Sequence, residues 1–407
     1  MFYGWYIVTA SALIMSYNSF LFIYGFTSFI NPIINTFGWS YTQVSLAITV
    51  RSITSGTLNP FLGALVDRWP VRRLLIFGSI VLSLGLFSLS RVTDLVMFYI
   101  GFIIMGIGGT LATQLVPQTS VARWFRKNLG KANGIMGVSV ALGGMAIPLL
   151  VLAIDTYGWQ YIFLFAGIGT LVLIIPLSFV FRNRPEEYGL APDGVKPTEM
   201  NDTDNSRDSF PGINVKEALK TRTFWIIGIG ALAQVGSNVA TIIHMMPHFV
   251  NVGMGRSSAS LIVMLLALIG IVTRFPIGWL MDITSRRNII ALCIGFSSIS
   301  YLLLSFIKAD SLFLLIFVFA AAFGIGSAGI WLRPALLREY FGTKSFGAIT
   351  GIITIFTLLG TSIFPVSTGW VFDVIGKYNS AFLSLGILSM IAALLTLLIP
   401  QLPKSHN

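Results

Sequence analysis

The chain consists of long apolar runs, each of about 20 residues or more, separated by short polar connections. An α-helix of that length spans the roughly 30 Å hydrocarbon core of a bilayer, whereas a membrane β-barrel alternates apolar and polar positions over about ten residues. The pattern therefore predicts an all-α membrane protein with twelve transmembrane helices. Their predicted ranges are 5–27, 42–65, 74–90, 95–119, 132–154, 159–181, 222–248, 257–281, 288–307, 311–336, 346–371 and 378–400.

A polar stretch divides the twelve predicted spans into two sets of six. Residues 182–221 are rich in charge, Pro, Asn and Ser, a composition typical of a flexible linker. We expect an N-terminal six-helix bundle over 1–181, this linker over 182–221, and a C-terminal six-helix bundle over 222–407.

Composition and charge agree with a membrane protein. Hydrophobic residues make up 55% of the 407 and charged residues only 10%, whereas soluble domains carry about 25% charged residues. In the short loops, eleven Lys and Arg fall on one side of the predicted topology and four on the other. The positive-inside rule makes the first side, with both termini and the linker, cytoplasmic. It also explains the net charge of +11 without a nucleic-acid partner. We expect a multi-pass protein of the cytoplasmic membrane, with its first span retained as a helix.

The two predicted halves carry an internal repeat. Six positions recur 215 residues later: Gly38, Ser45, Leu46, Gly63, Asp67 and Arg72 return as Gly253, Ser260, Leu261, Gly278, Asp282 and Arg287. Two further pairs recur at nearly the same offset: Gly130-x-x-x-Gly134 with Gly347-x-x-x-Gly351, and Asp155-x-x-Gly158 with Asp373-x-x-Gly376. The repeat predicts two pseudo-symmetric six-helix halves. In transporters of that design the substrate site lies between the halves near the midplane, and rocking of the halves gives alternating access.

The loop after the second span carries the motif Gly63-Ala-Leu-Val-Asp67-Arg68-Trp-Pro-Val-Arg72-Arg73. It resembles the cytoplasmic loop motif of the major facilitator superfamily, although Pro70 stands where that family usually has glycine. The resemblance implies a cytoplasmic latch with two states. The predicted gating residues are Gly63, Asp67, Arg68, Arg72, Gly278, Asp282 and Arg287. The alternative is that the arginines only set topology, which leaves the repeated Gly-x-x-x-Asp unexplained.

Other segments resemble the monocarboxylate and oxalate/formate porter branch of that superfamily. They are Arg123-Trp124-Phe125, Arg184-Pro-Glu-Glu-Tyr-Gly189 and Arg274-Phe-Pro-Ile-Gly278. The resemblance implies that Arg274 binds a substrate carboxylate.

The position of Arg274 supports the same role independently. The predicted spans contain no Asp or Glu, and a cation in hydrocarbon costs roughly 2.5–3.5 kcal/mol on insertion scales. Arg274 precedes Asp282 by eight residues, about 12 Å along a helix and so near mid-membrane. Its planar guanidinium matches a carboxylate. The alternative is a structural Arg274 bonded to helix carbonyls or snorkelling to the cytoplasm. Arg51 and Arg333, the other arginines in the spans, are more readily explained as an interface residue and a structural residue.

Further polar side chains in the spans complete the predicted substrate site, which comprises Arg274, Tyr24, Gln114, Asn59, Thr354 and Thr357. Asn59 is the repeat-related position of Arg274, and the threonines belong to a hydroxyl stripe on span 11. Span 11 has no lysine, so it adds no second positive charge to that of Arg274. A single cation favours a substrate with one carboxylate. His244 is a candidate proton site, with a hydrogen-bonded structural histidine as the alternative.

The sequence thus predicts a secondary transporter of small, lactate- or pyruvate-like monocarboxylates. Proton symport is implied by the resemblance; exchange of oxalate/formate-type anions, uniport, or transport of another anion or a neutral solute are alternatives. A membrane sensor or scaffold is a rival from another class. No nucleophile–base pair or metal cluster is recognisable, so an enzyme is not expected. Nor is a cofactor, and we expect a monomer in the lipid bilayer.

Overall fold

The computed structural model describes residues 2–125, 128–190, 193, 212–308, 310–311, 313–342 and 344–400, but not the side chains of Pro60, Asp67 and Asp282. Those residues form sixteen α-helices and contain no β-strand, which confirms the all-α prediction. The helices are α1 (Gly4–Asn18), α2 (Thr27–Phe37), α3 (Tyr41–Arg68), α4 (Val71–Ser90), α5 (Leu95–Gly109), α6 (Val116–Trp124), α7 (Leu129–Met145), α8 (Ile147–Tyr157), α9 (Trp159–Ser178), α10 (Val215–Lys220), α11 (Arg222–Asn251), α12 (Arg256–Ile283), α13 (Arg286–Phe306), α14 (Phe313–Phe341), α15 (Phe346–Ile375) and α16 (Asn379–Leu397).

Within the described chain, eleven helical runs are long and apolar enough to cross a membrane. They are Gly4–Phe37, Val71–Ser90, Leu95–Trp124, Leu129–Tyr157, Trp159–Ser178, Arg222–Asn251, Arg256–Met281, Arg286–Phe306, Phe313–Phe341, Phe346–Ile375 and Asn379–Leu397. The remaining predicted span is α3, a continuous helix of 28 residues. It is about 42 Å long, ample for a bilayer. Polar residues such as Gln43, Arg51 and Asn59 dilute its apolar character.

The first span extends well beyond its predicted end at residue 27. α1 passes through a π-helical turn (Ser19–Ile23) into α2, which ends at Gly38 in the left-handed region, φ 69°. Pro32 lies inside α2, where a proline removes one backbone hydrogen bond and its ring crowds the carbonyl one turn earlier. A second π-helical turn (Thr110–Leu115) joins α5 to α6.

The chain divides into two compact units. Unit 1 comprises Met1–Gly38 and Ala47–Asp204, and unit 2 comprises Trp39–Leu46 and Asn205–Asn407. The first residues of α3 therefore belong with unit 2, although the rest of that helix belongs with unit 1. Of the predicted linker, residues 191–192 and 194–211 fall outside the described residues, and its last part contains the short helix α10.

Glycines bring helix backbones together inside each unit. In unit 1, a Cβ on Gly108 of α5 would lie 2.2 Å from the backbone nitrogen of Leu82 on α4. In unit 2, a Cβ on Gly360 of α15 would lie 2.4 Å from the carbonyl oxygen of Leu232 on α11. Small residues at such contacts are the usual means of helix association in membranes, where burial from water contributes little.

Candidate functional site

Arg274 lies in α12 within unit 2, and its side chain is half-buried. Its guanidinium carbon is 5.6 Å from the ring centroid of Trp331 on α14, within the range of a cation–π contact. The two helices can approach because Gly324 faces Ile269 and Thr273, where a Cβ would lie 2.9 and 3.1 Å from side-chain atoms. α12 and α14 therefore present a guanidinium and an indole side by side.

Trp331 was not among the residues predicted from the sequence. It is 52% exposed, and an exposed tryptophan in a membrane protein is readily interpreted as an interface anchor. Its proximity to Arg274 depends on how α12 and α14 pack, which residue spacing along either helix does not reveal. A cation–π pair partly compensates a guanidinium for lost hydration.

Arg333, two residues further along α14, has a different environment. It is only 6% exposed, and its Nη2 donates to the Oε1 of the fully buried Gln234 on α11. The Gln234 Nε2 in turn donates to the carbonyl oxygen of Gly326 at 2.9 Å. Arg333 is thus held in the core of unit 2, and the more accessible guanidinium of these two is that of Arg274.

The predicted threonines lie on α15. Thr354 is exposed and Thr357 half-buried. Each hydroxyl donates to a carbonyl one turn earlier, Thr354 to Thr350 at 2.9 Å and Thr357 to Thr354 at 2.8 Å. In this arrangement their oxygens keep lone pairs and can accept a hydrogen bond from a ligand.

The remaining predicted substrate residues lie in unit 1. Asn59 is exposed on α3, Gln114 is exposed on the second π-helical turn, and Tyr24 is 8% exposed directly after the first π-helical turn. π-helical turns within α-helices occur frequently at functional sites. Exposed amides inside apolar spans are also more readily explained by a water-filled cavity than by lipid. All six predicted residues lie within the described chain, three in each unit.

His244 is fully buried on α11, and both of its ring nitrogens have partners. Nε2 is 2.8 Å from the carbonyl oxygen of Pro365, which can only accept, so Nε2 carries a proton and donates it. Nδ1 is 3.1 Å from the hydroxyl of Tyr378 and accepts from it. The hydroxyl of Ser45 lies 3.2 Å from Nε2. These partners match a neutral imidazole, so protonation would force the Tyr378 hydroxyl to turn away.

The predicted gating residues are in part described. Gly63 and Gly278 have open space where a Cβ would lie, and Arg68 is exposed on the last turn of α3. The guanidinium carbon of Arg72 lies 3.5 Å from the ring centroid of Phe179. Arg287 donates to the carbonyl oxygen of Ile399 at 2.6 Å and to the side chain of Asn288. The side chains of Asp67 and Asp282 lie outside the described residues, so the latch itself stays a prediction.

The fold is that of a polytopic helical membrane protein built from two six-helix halves, with arginines embedded in several of its spans. The chain belongs to the Major Facilitator Superfamily, whose sequence model matches residues 10–282 and 245–407. It is therefore a transporter of that superfamily.

Individual relatives are distant but match along most of their length. The chain is 24% identical to the oxalate:formate antiporter of Oxalobacter formigenes over 98% of this chain and 92% of the relative. It is 24% identical to human monocarboxylate transporter 2, over 98% and 85%, and 22% identical to rat monocarboxylate transporter 12, over 88% and 78%. Among solved structures, a bacterial homolog of the human lysosomal transporter Spinster superposes with a TM-score of 0.72 at 15% identity, covering 98% of this chain and 97% of that one. That likeness supports the fold.

Proposed function

We propose that this protein moves small monocarboxylates of the lactate or pyruvate kind across the cytoplasmic membrane by alternating access. Arg274 is the carboxylate anchor. The observation that carries the proposal is the half-buried guanidinium on α12, held beside Trp331 in a membrane-spanning helix. A bidentate guanidinium–carboxylate pair is both strong and directional. The monocarboxylate transporters among the relatives support the same substrate class.

The environment of Arg333 on α14 favours a substrate with one carboxylate. Arg333 is nearly inaccessible and already bonded to Gln234, so it does not offer a second charge to a dicarboxylate. The hydroxyl oxygens of Thr354 and Thr357, which belong to the same unit as Arg274, are proposed as neutral polar partners for the rest of a hydroxy or keto acid.

Transport is proposed to occur with a proton. The imidazole of His244 is engaged by Pro365 and Tyr378, so we do not assign the co-transported proton to it. In this scheme the substrate carboxylate stays ionised while it is paired with Arg274.

Anion exchange of the oxalate/formate type is a second candidate function. The similarity to the oxalate:formate antiporter favours it, since the match covers 98% of this chain and 92% of the antiporter. Counterflow distinguishes the candidates: an exchanger takes up labelled anion only into vesicles loaded with unlabelled anion, whereas a symporter also responds to an inward proton gradient in empty vesicles.

The anchor is tested by uptake of radiolabelled L-lactate into proteoliposomes. Arg274→Lys keeps the charge but loses the planar fork, and the loss of one charge-assisted hydrogen bond, about 1.5–3 kcal/mol, lowers kcat/KM by about 10- to 150-fold. Arg274→Ala lowers it further. Arg91→Lys, at the end of α4, is the matched control and is expected to transport like the parent. If both Arg274 variants transport lactate as the parent does, the anchor assignment is wrong.

A further inference from the structure

The N-terminus of α3 is capped from two directions. Its own sequence supplies a capping box, in which the backbone N–H of Gln43 donates to the Ser40 hydroxyl at 3.1 Å and the backbone N–H of Ser40 donates to Gln43 Oε1 at 2.9 Å. The next orphan donors are the N–H groups of Tyr41 and Thr42. Both donate to the carboxylate of Asp373, near the end of α15, at 2.9 and 2.8 Å, and the Thr42 hydroxyl donates to it as well.

One turn before Asp373, the backbone of α15 lies directly against the same segment. A Cβ on Gly369 would be 2.9 Å from the carbonyl oxygen of Tyr41 and 3.1 Å from the nitrogen of Thr42. Positions four residues apart share a helix face, so Gly369 and Asp373 present one surface to the start of α3. We call these two residues the α15 clamp.

Other side chains of unit 2 hold the same segment. The Asn251 Nδ2 donates to the Tyr41 hydroxyl at 3.2 Å, and the ring of Tyr41 lies 4.5 Å from that of Phe372. Ser45 meets the imidazole of His244 at 3.2 Å. Residues 39–46 are thereby grouped with unit 2, whereas α3 from Ala47 onward belongs to unit 1.

That division has a mechanical consequence. Alternating access by rocking requires the six-helix halves to move as bodies, so either α3 bends near residue 46 or its first turns leave unit 2. Sharp helix kinks need a proline, a glycine or a π-bulge. α3 is unbroken from Tyr41, and Gly56 is its first glycine or proline. Release of the first turns is therefore the easier motion.

We propose that the α15 clamp is a releasable gate, which holds the first turns of α3 on unit 2 and lets them go during the transport cycle. Asp373 is exposed, so water replaces its partners upon release and the step is readily reversible. The proposal rests on alternating access alone and is independent of which anion is transported.

The experiment reads the sidedness of access without any substrate. Cys293, the native cysteine, is buried; it is replaced by serine, and Gln114→Cys serves as the reporter in membranes. A membrane-impermeant methanethiosulfonate is applied from the Asp373 side or from the opposite side. Asp373→Asn keeps the shape but loses the charge that accepts three hydrogen bonds. We expect labelling from the Asp373 side to be roughly tenfold faster, and labelling from the opposite side to be slower.

Two matched controls separate gating from general destabilisation. Asp94 caps its own helix, accepting from the N–H groups of Val96 and Met97 at 2.9 Å, so Asp94→Asn is expected to leave the labelling ratio unchanged. Gly369→Ala forces a methyl against the start of α3 and is expected to act like Asp373→Asn. Gly347→Ala on the same helix meets open space and is expected to be silent.

The proposal fails if neither clamp variant changes the labelling ratio while both remain monodisperse in detergent, or if Asp94→Asn changes it equally. Because the readout contains no lactate, a failed clamp leaves the carboxylate proposal intact, and a failed carboxylate proposal leaves the clamp intact.

Discussion

Replacement of Trp331 by leucine tests whether the indole positions the Arg274 guanidinium for substrate. The guanidinium carbon is 5.6 Å from the ring centroid, near the outer limit of a cation–π contact, and the tryptophan is 52% exposed. Such a pair contributes about 0.5–1 kcal/mol at exposed sites. Without the indole, the arginine side chain has more rotamers to lose when it binds a carboxylate. We therefore expect the KM for L-lactate to rise about two- to fivefold, with kcat little changed.

The assay is initial-rate uptake of labelled lactate over a range of concentrations in proteoliposomes. Trp279→Leu is the matched control, since it removes an exposed tryptophan from α12 itself five residues beyond Arg274. Five residues correspond to about 140° around a helix, so Trp279 faces away from the guanidinium. An unchanged KM in Trp331→Leu, or the same rise in Trp279→Leu, would show that the indole does not position Arg274. In the double variant with Arg274→Lys, the tryptophan effect is expected to shrink, because a lysine gains less from the indole face.

Two further predictions concern stability and are measured by thermal unfolding in detergent. Gln234→Leu leaves the buried guanidinium of Arg333 without its amide partner and is expected to cost about 1–3 kcal/mol. The double variant Gln234→Leu, Arg333→Leu is expected to recover most of that loss, and an equally unstable double variant would contradict the pairing. Gly326→Ala places a Cβ 2.2 Å from the hydroxyl oxygen and 2.6 Å from the backbone nitrogen of Ser297, so we expect a clear fall in the unfolding temperature. Gly295→Ala is the control, because a Cβ there meets open space, and it is expected to change the unfolding temperature little.

The transmembrane helices were predictable because a bilayer imposes both length and apolarity on them. The eleven most apolar runs all contain or closely match a predicted span. α3 was predicted although its polar residues weaken the signal, because its apolar run is still long enough to span a bilayer. The prediction missed where α2 ends. Asn31 and Pro32 read as a loop in sequence, yet the helix continues to Phe37 and stops at a left-handed glycine. π-helical turns also lack a recognisable sequence signature, so neither was anticipated.

The candidate site was predictable only where a single residue carries its own signal. Arg274 stands out because a cation in an apolar helix needs a reason, and the motif around it resembles known porters. Trp331 gains its role from packing against Arg274, which lies 57 residues earlier in the chain. Gln234 gains its role from its hydrogen bond with Arg333, which lies 99 residues later. The contact of Asp373 with α3 spans 332 residues. Its carboxylate looked in the sequence like a repeat marker at the end of a span, since nothing local indicates that it caps a distant helix.

The placement of Arg274 suggests how occupancy and motion are coupled in the proposed carrier. A guanidinium in a water-poor cavity bears a solvation penalty of roughly 2.5–3.5 kcal/mol on insertion scales, which the indole of Trp331 offsets in part. A bound carboxylate cancels the charge, so we infer that closure around the loaded site is more favourable than closure around the empty one. A ligand shifts a conformational equilibrium only through such a differential affinity. On this reasoning we expect the parent protein to interconvert between its two access states more slowly without substrate than with substrate bound. Arg274→Ala is expected to lose both substrate binding and this effect of substrate on the rate.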